Sequence, residues 1–419
     1  MDYITRALEE RIHKYEKTYK AVLVTGARQV GKSTLLKKVF PDRKYVSLDD
    51  PFLEEQAKEA GGMFLTLNAP PVTIDEVQRA KELFRYIKME CDKREEKGLF
   101  FLSGSQPFHL MQNVTESLSG RIGIVELSGL SMRECMGDTF NGHFLPTLEY
   151  VTERKKTLKR QENIWEVIHR GGYPELQDED KEWSAFYADY MKTYIERDVR
   201  ELAAVQDLNA FRQFMIAAAA RTGEILNYSA IASEIGKDVS TVKNWLSILE
   251  VSGIIYLLEP YASNVLKRAI KSPKLYFRDT GLVCYLTRWL TPENLAYGAM
   301  SGPVFETFVV SEILKSFANE GLDYRHFVSY YRGRDKKKIR EDGEVWELET
   351  EIDLIIEENG MLYPIEIKKN TQAKAIMTSA FSVLDQIPGK KRGTGAVLCN
   401  CPEVGVLREN ILQIPVWYI

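Results

Sequence analysis

Residues 21–39 run from a short apolar strand, Val22-Leu23-Val24-Thr25, into a loop and then into a helix at Leu35–Val39. The junction reads Gly26-Ala27-Arg28-Gln29-Val30-Gly31-Lys32-Ser33-Thr34, which is GxxxxGK[ST] between strand and helix. The glycines let backbone N–H groups turn inward around an anion. The helix behind the loop adds the positive end of its dipole. Lys32 is placed to reach the β- and γ-phosphates of a nucleotide, and the Ser33 hydroxyl to hold Mg²⁺. A chance Gly-rich turn is the competing reading, and it weakens once a partner motif is found.

The partner is Pro71-Val72-Thr73-Ile74-Asp75-Glu76, an apolar strand ending in two carboxylates. Asp75 suits Mg²⁺, directly or through water, and Glu76 suits the general base that activates a water. The next strand ends Leu102-Ser103-Gly104-Ser105-Gln106. Ser103, Ser105 and Gln106 are candidates for the γ-phosphate or the attacking water, with a plain turn as the alternative. Arg121, after Ser119-Gly120, could complete a neighbouring subunit's site by offsetting transition-state charge, or form a surface ion pair.

Five short apolar runs, Ala21–Thr25, Tyr45–Leu48, Val72–Asp75, Leu99–Ser103 and Ile122–Leu127, alternate with charged amphipathic segments. That alternation predicts a parallel sheet flanked by helices. Thr25–Ser33, Ile74-Asp75-Glu76-Val77-Gln78-Arg79, Ser103-Gly104-Ser105 and Leu118-Ser119-Gly120-Arg121 together resemble a prokaryotic AAA-type (AAA+) ATPase family. Gly171-Gly172-Tyr173-Pro174-Glu175 and Tyr194-Ile195-Glu196-Arg197-Asp198-Val199 resemble that family's second half, whose function is unassigned. The resemblance spans nearly the whole chain. It implies an AAA fold, ATP binding and hydrolysis, and says little about substrate.

Residues 140–290 look helical, with Gly171-Gly172 and Pro174 as a helix stop. Arg197 could sense nucleotide from a helical lid or pair with Glu201 one turn on. Further on, a helix at Tyr228–Ile235, a turn at Gly236, a second helix behind a Ser240 cap and an apolar strand at Ile254–Leu258 predict a winged helix-turn-helix. Ser240, Thr241, Lys243 and Asn244 stand where groove contacts to DNA would be made. A protein-packing role is the alternative, since Glu234, Asp238 and Glu250 oppose the basic Lys237 and Lys243.

After residue 300 a long helix is followed by strands at Tyr324–Tyr331, Glu351–Ile356 and Tyr363–Lys368, a helix near 374–386, and strands at Gly395–Cys399 and Ile414–Ile419. This order, with Glu306, Asp353 and Glu366-x-Lys368, resembles the PD-(D/E)xK nuclease fold. Asp353 and Glu366 fall on adjacent strands and could bind Mg²⁺ or Mn²⁺. Lys368 faces the same way as Glu366 because strand side chains alternate. Glu306 could add a third carboxylate. A structural ion-pair set in a scaffold is the alternative. Residues 332–340 carry six basic residues in nine, placed beside this cleft as a DNA-backbone contact or a solvated loop.

The expected chain is therefore α/β: a P-loop NTPase (AAA+) core at 1–138, a helical lid at 139–222, a winged helix-turn-helix at 223–296 and an α/β restriction-endonuclease-like unit at 297–419. ATP and Mg²⁺ are the expected cofactors. The first reading is an ATPase acting on DNA through the winged helix and the nuclease-like C-terminal unit, with the basic run at 332–340 as a DNA contact. The second is an ATP-driven switch of protein partners, with the nuclease-like unit used for docking. A homo-oligomer or a protein partner is expected. A net charge of −4 announces no global nucleic-acid field. The five cysteines form no CxxC pair and read as core thiols of a reducing cytosol. No apolar run approaches the roughly 18–20 residues of a membrane helix, and the charged N-terminal stretch is no signal peptide. A cytoplasmic protein is expected.

Overall fold

The computed structural model describes residues 3–104, 118–195, 207–262, 272–339 and 345–419. The first sheet contains β1 (Ala21–Thr25), β2 (Lys44–Ser47), β3 (Val72–Asp75), β4 (Phe100–Ser103) and β5 (Ile122–Glu126). The strand order is β2-β3-β4-β1-β5, and every pairing is parallel. β1 is buried along its whole length because helices cover both faces of the sheet. Ala21 and Leu23 face a core with Phe64, Phe84 and Ile87, while Val22 and Val24 face the opposite one. β4 lies between β1 and β3, so Ser103 sits between the phosphate loop and Asp75.

Helices follow at Leu148–Arg154, Ile164–Arg170, Trp183–Tyr190 and Leu208–Ala219. The third continues as a π-helical turn at Met191–Ile195. Ile164–Arg170 stops at Gly171, whose φ of 83° suits glycine. Next come the helices Tyr228–Ile235 and Val239–Val251, turning at Gly236 (φ 63°). The cap of the second helix is Asp238, not Ser240: the Asp238 carboxylate accepts the Thr241 N–H at 2.8 Å. A carboxylate at that position also complements the helix dipole. β6 (Ile255–Leu258) then pairs antiparallel with β7 (Lys274–Phe277), a strand the helical reading of this region missed.

The long helix Ser301–Glu320 precedes a seven-stranded mixed sheet. Its strands are β8 (Val328–Ile339), β9 (Val345–Glu358), β10 (Met361–Lys368), β11 (Lys391–Arg392), β12 (Gly395–Cys399), β13 (Gly405–Arg408) and β14 (Ile411–Pro415). The order is β13-β14-β12-β10-β9-β8, with β11 beside β10. Four expectations change here. Tyr324–His326 is a 3₁₀ turn, and the strand starts at Val328. The helix near 374–386 is two 3₁₀ turns, Ala375–Thr378 and Phe381–Gln386. The last strand ends at Pro415, and Val416–Tyr418 turns. The basic run is not a loop, because residues 332–339 lie on β8, paired with β9.

One hydrophobic cluster runs from Leu8 and Val22 through Phe211 and Trp245 to Phe308, Leu354 and Ile419. Among the described residues no helix is long and apolar enough to cross a membrane.

Candidate functional site

The phosphate loop is built by close packing. A Cβ on Gly26 would stand 2.1 Å from the Leu127 carbonyl oxygen, so only glycine fits at φ 144°. Gly31, at φ 93°, caps the helix Lys32–Val39. Lys32 is buried, and its ammonium lies on the Gly26 and Ala27 carbonyls at 3.0 and 2.8 Å. Ser33 Oγ donates to Asp75 Oδ2 at 2.7 Å. Two distant motifs thus meet at one point, a hydroxyl and a carboxylate suited to a hard divalent cation. Those two groups fit Mg²⁺. Glu76 stands at the end of β3 in the left-handed region (φ 54°), a costly conformation for this residue. Gln78 Nε2 donates to its carboxylate. The loop, Lys32, Ser33 and Glu76 line a solvent-open cleft of about 1630 Å³, shared with Tyr3, Pro174 and Glu175.

Ser103, fully buried, donates to Asp75 Oδ1. Ser105 and Gln106 lie outside the described residues, as does Arg197. Two residues in this site escaped the sequence reading. Tyr45, on β2, donates its hydroxyl to Asp75 Oδ2. Burial first, and the Asp75 carboxylate next, push that hydroxyl well above the usual tyrosine range, so it stays a donor. Arg6, 4% exposed, donates to the Val30 carbonyl at 2.9 Å, to Ser128 O at 2.7 Å and to Glu134 at 3.0 Å. It holds the Val30 carbonyl of the phosphate loop. A polar side chain on the strand next to β3, paired with Thr73 two residues before Asp75, is the signal that could have found Tyr45, whereas nothing local marks Arg6.

Residues 18–136 match the family model described as an AAA domain. That matched stretch, the AAA module, holds the α/β P-loop core, with the loop, Asp75 and Glu76 all inside it. Residues 161–293 match a second model, a domain of unknown function (DUF8612). An uncharacterized protein of Mycobacterium tuberculosis is 27% identical over 366 residues, which is 87% of this chain and 73% of that protein. An uncharacterized protein of Mycobacterium bovis matches at the same 27% over the same coverage. Among solved structures, a Walker-type ATPase of Pyrococcus abyssi is similar at TM-score 0.41 and 17% identity, over 68% of this chain and 96% of that one. A RuvB variant of Thermotoga maritima is similar at TM-score 0.29 and 16% identity, over 60% and 86%.

Arg121 lies at the opposite end of the AAA sheet from the phosphate loop. Its carbonyl accepts from Ala21, the first residue of β1, and its guanidinium pairs with Asp92 on the surface. It does not approach the loop of its own chain.

Beyond the AAA module, Ser240, Thr241, Lys243 and Lys237 have partners within the protein. Ser240 and Thr241 hydroxyls both donate to Asp238, the latter at 3.0 Å. Lys243 Nζ sits 5.3 Å over the Tyr228 ring, and Lys237 pairs with Asp207 at 2.9 Å.

At the far end, Glu306, Asp353, Glu366 and Lys368 do come together. Lys368 Nζ reaches Glu366 at 2.7 Å and Asp353 at 3.3 Å. The cluster also holds a cation that the sequence did not suggest. Lys274, on β7 and 2% exposed, contacts Glu351 at 2.7 Å, Glu306 at 3.3 Å and Asp353 at 3.8 Å. Burial and then Asp353 raise the Glu306 carboxyl above its ordinary value. The same causes push Glu366 up to about 7. A divalent ion needs carboxylate oxygens turned toward one point with no other cation there. Here two ammonium groups occupy the space between the carboxylates. Among the described residues no three acidic, histidine or cysteine side chains gather closely enough to hold a metal. The donor set as arranged does not fit the metal that the nuclease resemblance implied.

Proposed function

We propose that this protein binds ATP with Mg²⁺ in the AAA module, hydrolyses it to ADP and phosphate, and uses the nucleotide state to switch its docking on a protein partner. The observation that carries the reading is the meeting of Ser33 and the buried Asp75 at 2.7 Å, at the edge of the open cleft that Lys32, Ser33 and Glu76 line. Lys32 leaves the loop carbonyls to neutralise the β- and γ-phosphates. Ser33 and Asp75 would hold the Mg²⁺, which would supply positive charge to the nucleotide phosphates. Tyr45 and Ser103 orient Asp75 through their hydroxyls. Glu76, steadied by Gln78, takes the proton of the attacking water. Arg121 can act only on a neighbouring subunit, so a role for it requires an oligomer.

The partner is taken to be protein because the groups expected to meet DNA are engaged elsewhere. Ser240 and Thr241 serve Asp238, Lys243 covers Tyr228, and the C-terminal carboxylates are ion-paired with lysines. The basic strand at 332–339 keeps a DNA reading open to test. Phosphate release measures turnover directly. Glu76→Gln should keep nucleotide affinity and lose roughly 100-fold or more in turnover, and wild-type turnover in that variant refutes the base assignment. Linear and single-stranded DNA should leave the wild-type rate unchanged, whereas stimulation returns the assignment to DNA.

A further inference from the structure

The lysine in the carboxylate cluster comes from outside the C-terminal sheet. Lys274 belongs to β7, which pairs with β6, while Glu306 sits on the long helix and Glu351 and Asp353 on β9. Three separate elements therefore meet at one ammonium group. Three of the oxygens beside it are already used. Asp353 Oδ1 faces Lys274, and Oδ2 accepts the Ile367 N–H at 2.8 Å and Lys368 at 3.3 Å. Glu306 Oε1 accepts from Lys274 and, at 2.6 Å, from the Tyr276 hydroxyl. A divalent ion placed between Glu306 and Asp353 would meet a fixed positive charge at contact distance.

That charge cannot swing away by rotamer change alone. Lys274 is 2% exposed, and its strand is pinned on both sides. Lys274 pairs with Leu258 on β6 and bridges to Ile225. Gly223 N–H donates to the Leu275 carbonyl at 2.7 Å, and Leu226 N–H to Pro273 O at 2.8 Å. The β6–β7 hairpin is itself fastened to β8: Tyr261 N–H donates to Tyr330 O at 2.6 Å, and Tyr330 N–H to Glu259 O at 3.1 Å. Removing the ammonium means undocking the hairpin.

We infer that Lys274 is a resident counter-cation that denies the Glu306–Glu351–Asp353–Glu366 cluster to divalent metal while the β6–β7 hairpin is docked. The C-terminal sheet in this state is an ion-paired scaffold, held to the helix-turn-helix segment by a buried charge. The inference agrees with the docking reading above and does not rest on ATP turnover.

The test is Mn²⁺ binding to the full chain without nucleotide, read from the electron paramagnetic resonance signal of free Mn²⁺. Asp353→Asn serves as the control, so binding at Asp75 is not counted. Wild type and Asp353→Asn should take up the same Mn²⁺. Lys274→Met should gain one site, and the gain should vanish in Lys274→Met/Asp353→Asn. Uptake by wild type beyond that of Asp353→Asn overturns the inference, and so does a folded Lys274→Met without the extra site. If Lys274→Met does not fold, Lys274→Met/Glu306→Gln removes one charge of each sign and takes its place. No Asp353-dependent gain in that variant overturns the inference equally.

Discussion

Glu366 holds Lys368 at 2.7 Å with one carboxylate oxygen and buries the other without a hydrogen-bond partner. Burial first, then the Asp353 charge, move its carboxyl from an ordinary 4.5 to about 7. The folded chain therefore holds this proton more tightly than the unfolded chain does. The stability contributed by that proton is fully present below about 4.5 and is lost as pH rises through about 7. Glu366→Gln keeps the neutral shape at every pH. Its stability should match wild type near pH 5 and exceed it on the order of 1–3 kcal/mol near pH 8. Urea midpoints at the two pH values measure this, and a gap that does not widen with pH defeats it. Residues such as Gly26, Lys32, Asp75 and Glu76 were legible in the sequence because their chemistry is written in consecutive positions. Tyr45, Arg6 and Lys274 were not, because each reaches its partner from a different element and leaves no local pattern.

Elements were legible where one pattern controlled them. The alternation of apolar strand and amphipathic helix gave the parallel sheet and its phosphate loop, since a strand buried on both faces reads as a plain apolar run. The 374–386 segment failed because local and tertiary demands differ. Thr378 Oγ1 bonds back to Ala375 O at 2.8 Å, which competes with helix hydrogen bonding, while Phe381, Val383 and Leu384 must all reach the core. At this scale the phosphate loop depends on an outside brace. Arg6 spans the loop at Val30, the strand exit at Ser128 and the capping box of Ser131–Glu134. Arg6→Met leaves Glu134 a buried charge without its cation, at a cost of about 3–5 kcal/mol. It also frees the Val30 carbonyl to turn toward the phosphates, so nucleotide affinity should fall. Adding Glu134→Gln should recover most of the stability, read by thermal melting, and little of the affinity, read by nucleotide titration. Recovery of both together would show that Arg6 acts only through fold stability.

At the scale of the whole molecule, distant segments complete one another's cores. The AAA module touches the helix-turn-helix region, where a Cβ on Gly253 would stand 3.5 Å from Ala27 in the phosphate loop. Glu126, at the end of β5, pairs with Arg278 just after β7. The last residues, 416–419, seal a groove formed by residues 133–154. Arg133 Nε donates to Ile419 O at 2.8 Å, the Tyr150 hydroxyl to Tyr418 O at 2.9 Å, and Arg154 to Trp417 O at 3.4 Å. Arg133 and Arg154 are 8% and 1% exposed, and these carbonyls satisfy part of their guanidinium donors beside Phe140 O, Gly142 O and Asp138. Val416, Trp417, Tyr418 and Ile419 are themselves at most 7% exposed. Burying each large apolar side chain contributes roughly 1.5–3 kcal/mol, and the buried donors left behind cost about 1–3 kcal/mol each. Removing residues 416–419 should therefore take away on the order of the full stability of a typical domain, about 5–15 kcal/mol. Because the loss falls on the segment that follows β5, the AAA module should lose nucleotide binding with it, although its loop lies far away in sequence. Calorimetry and nucleotide titration on the shortened chain check the two halves of this expectation. A shortened chain that melts like wild type and binds nucleotide normally would mean that the modules fold independently and that the shared core is only contact.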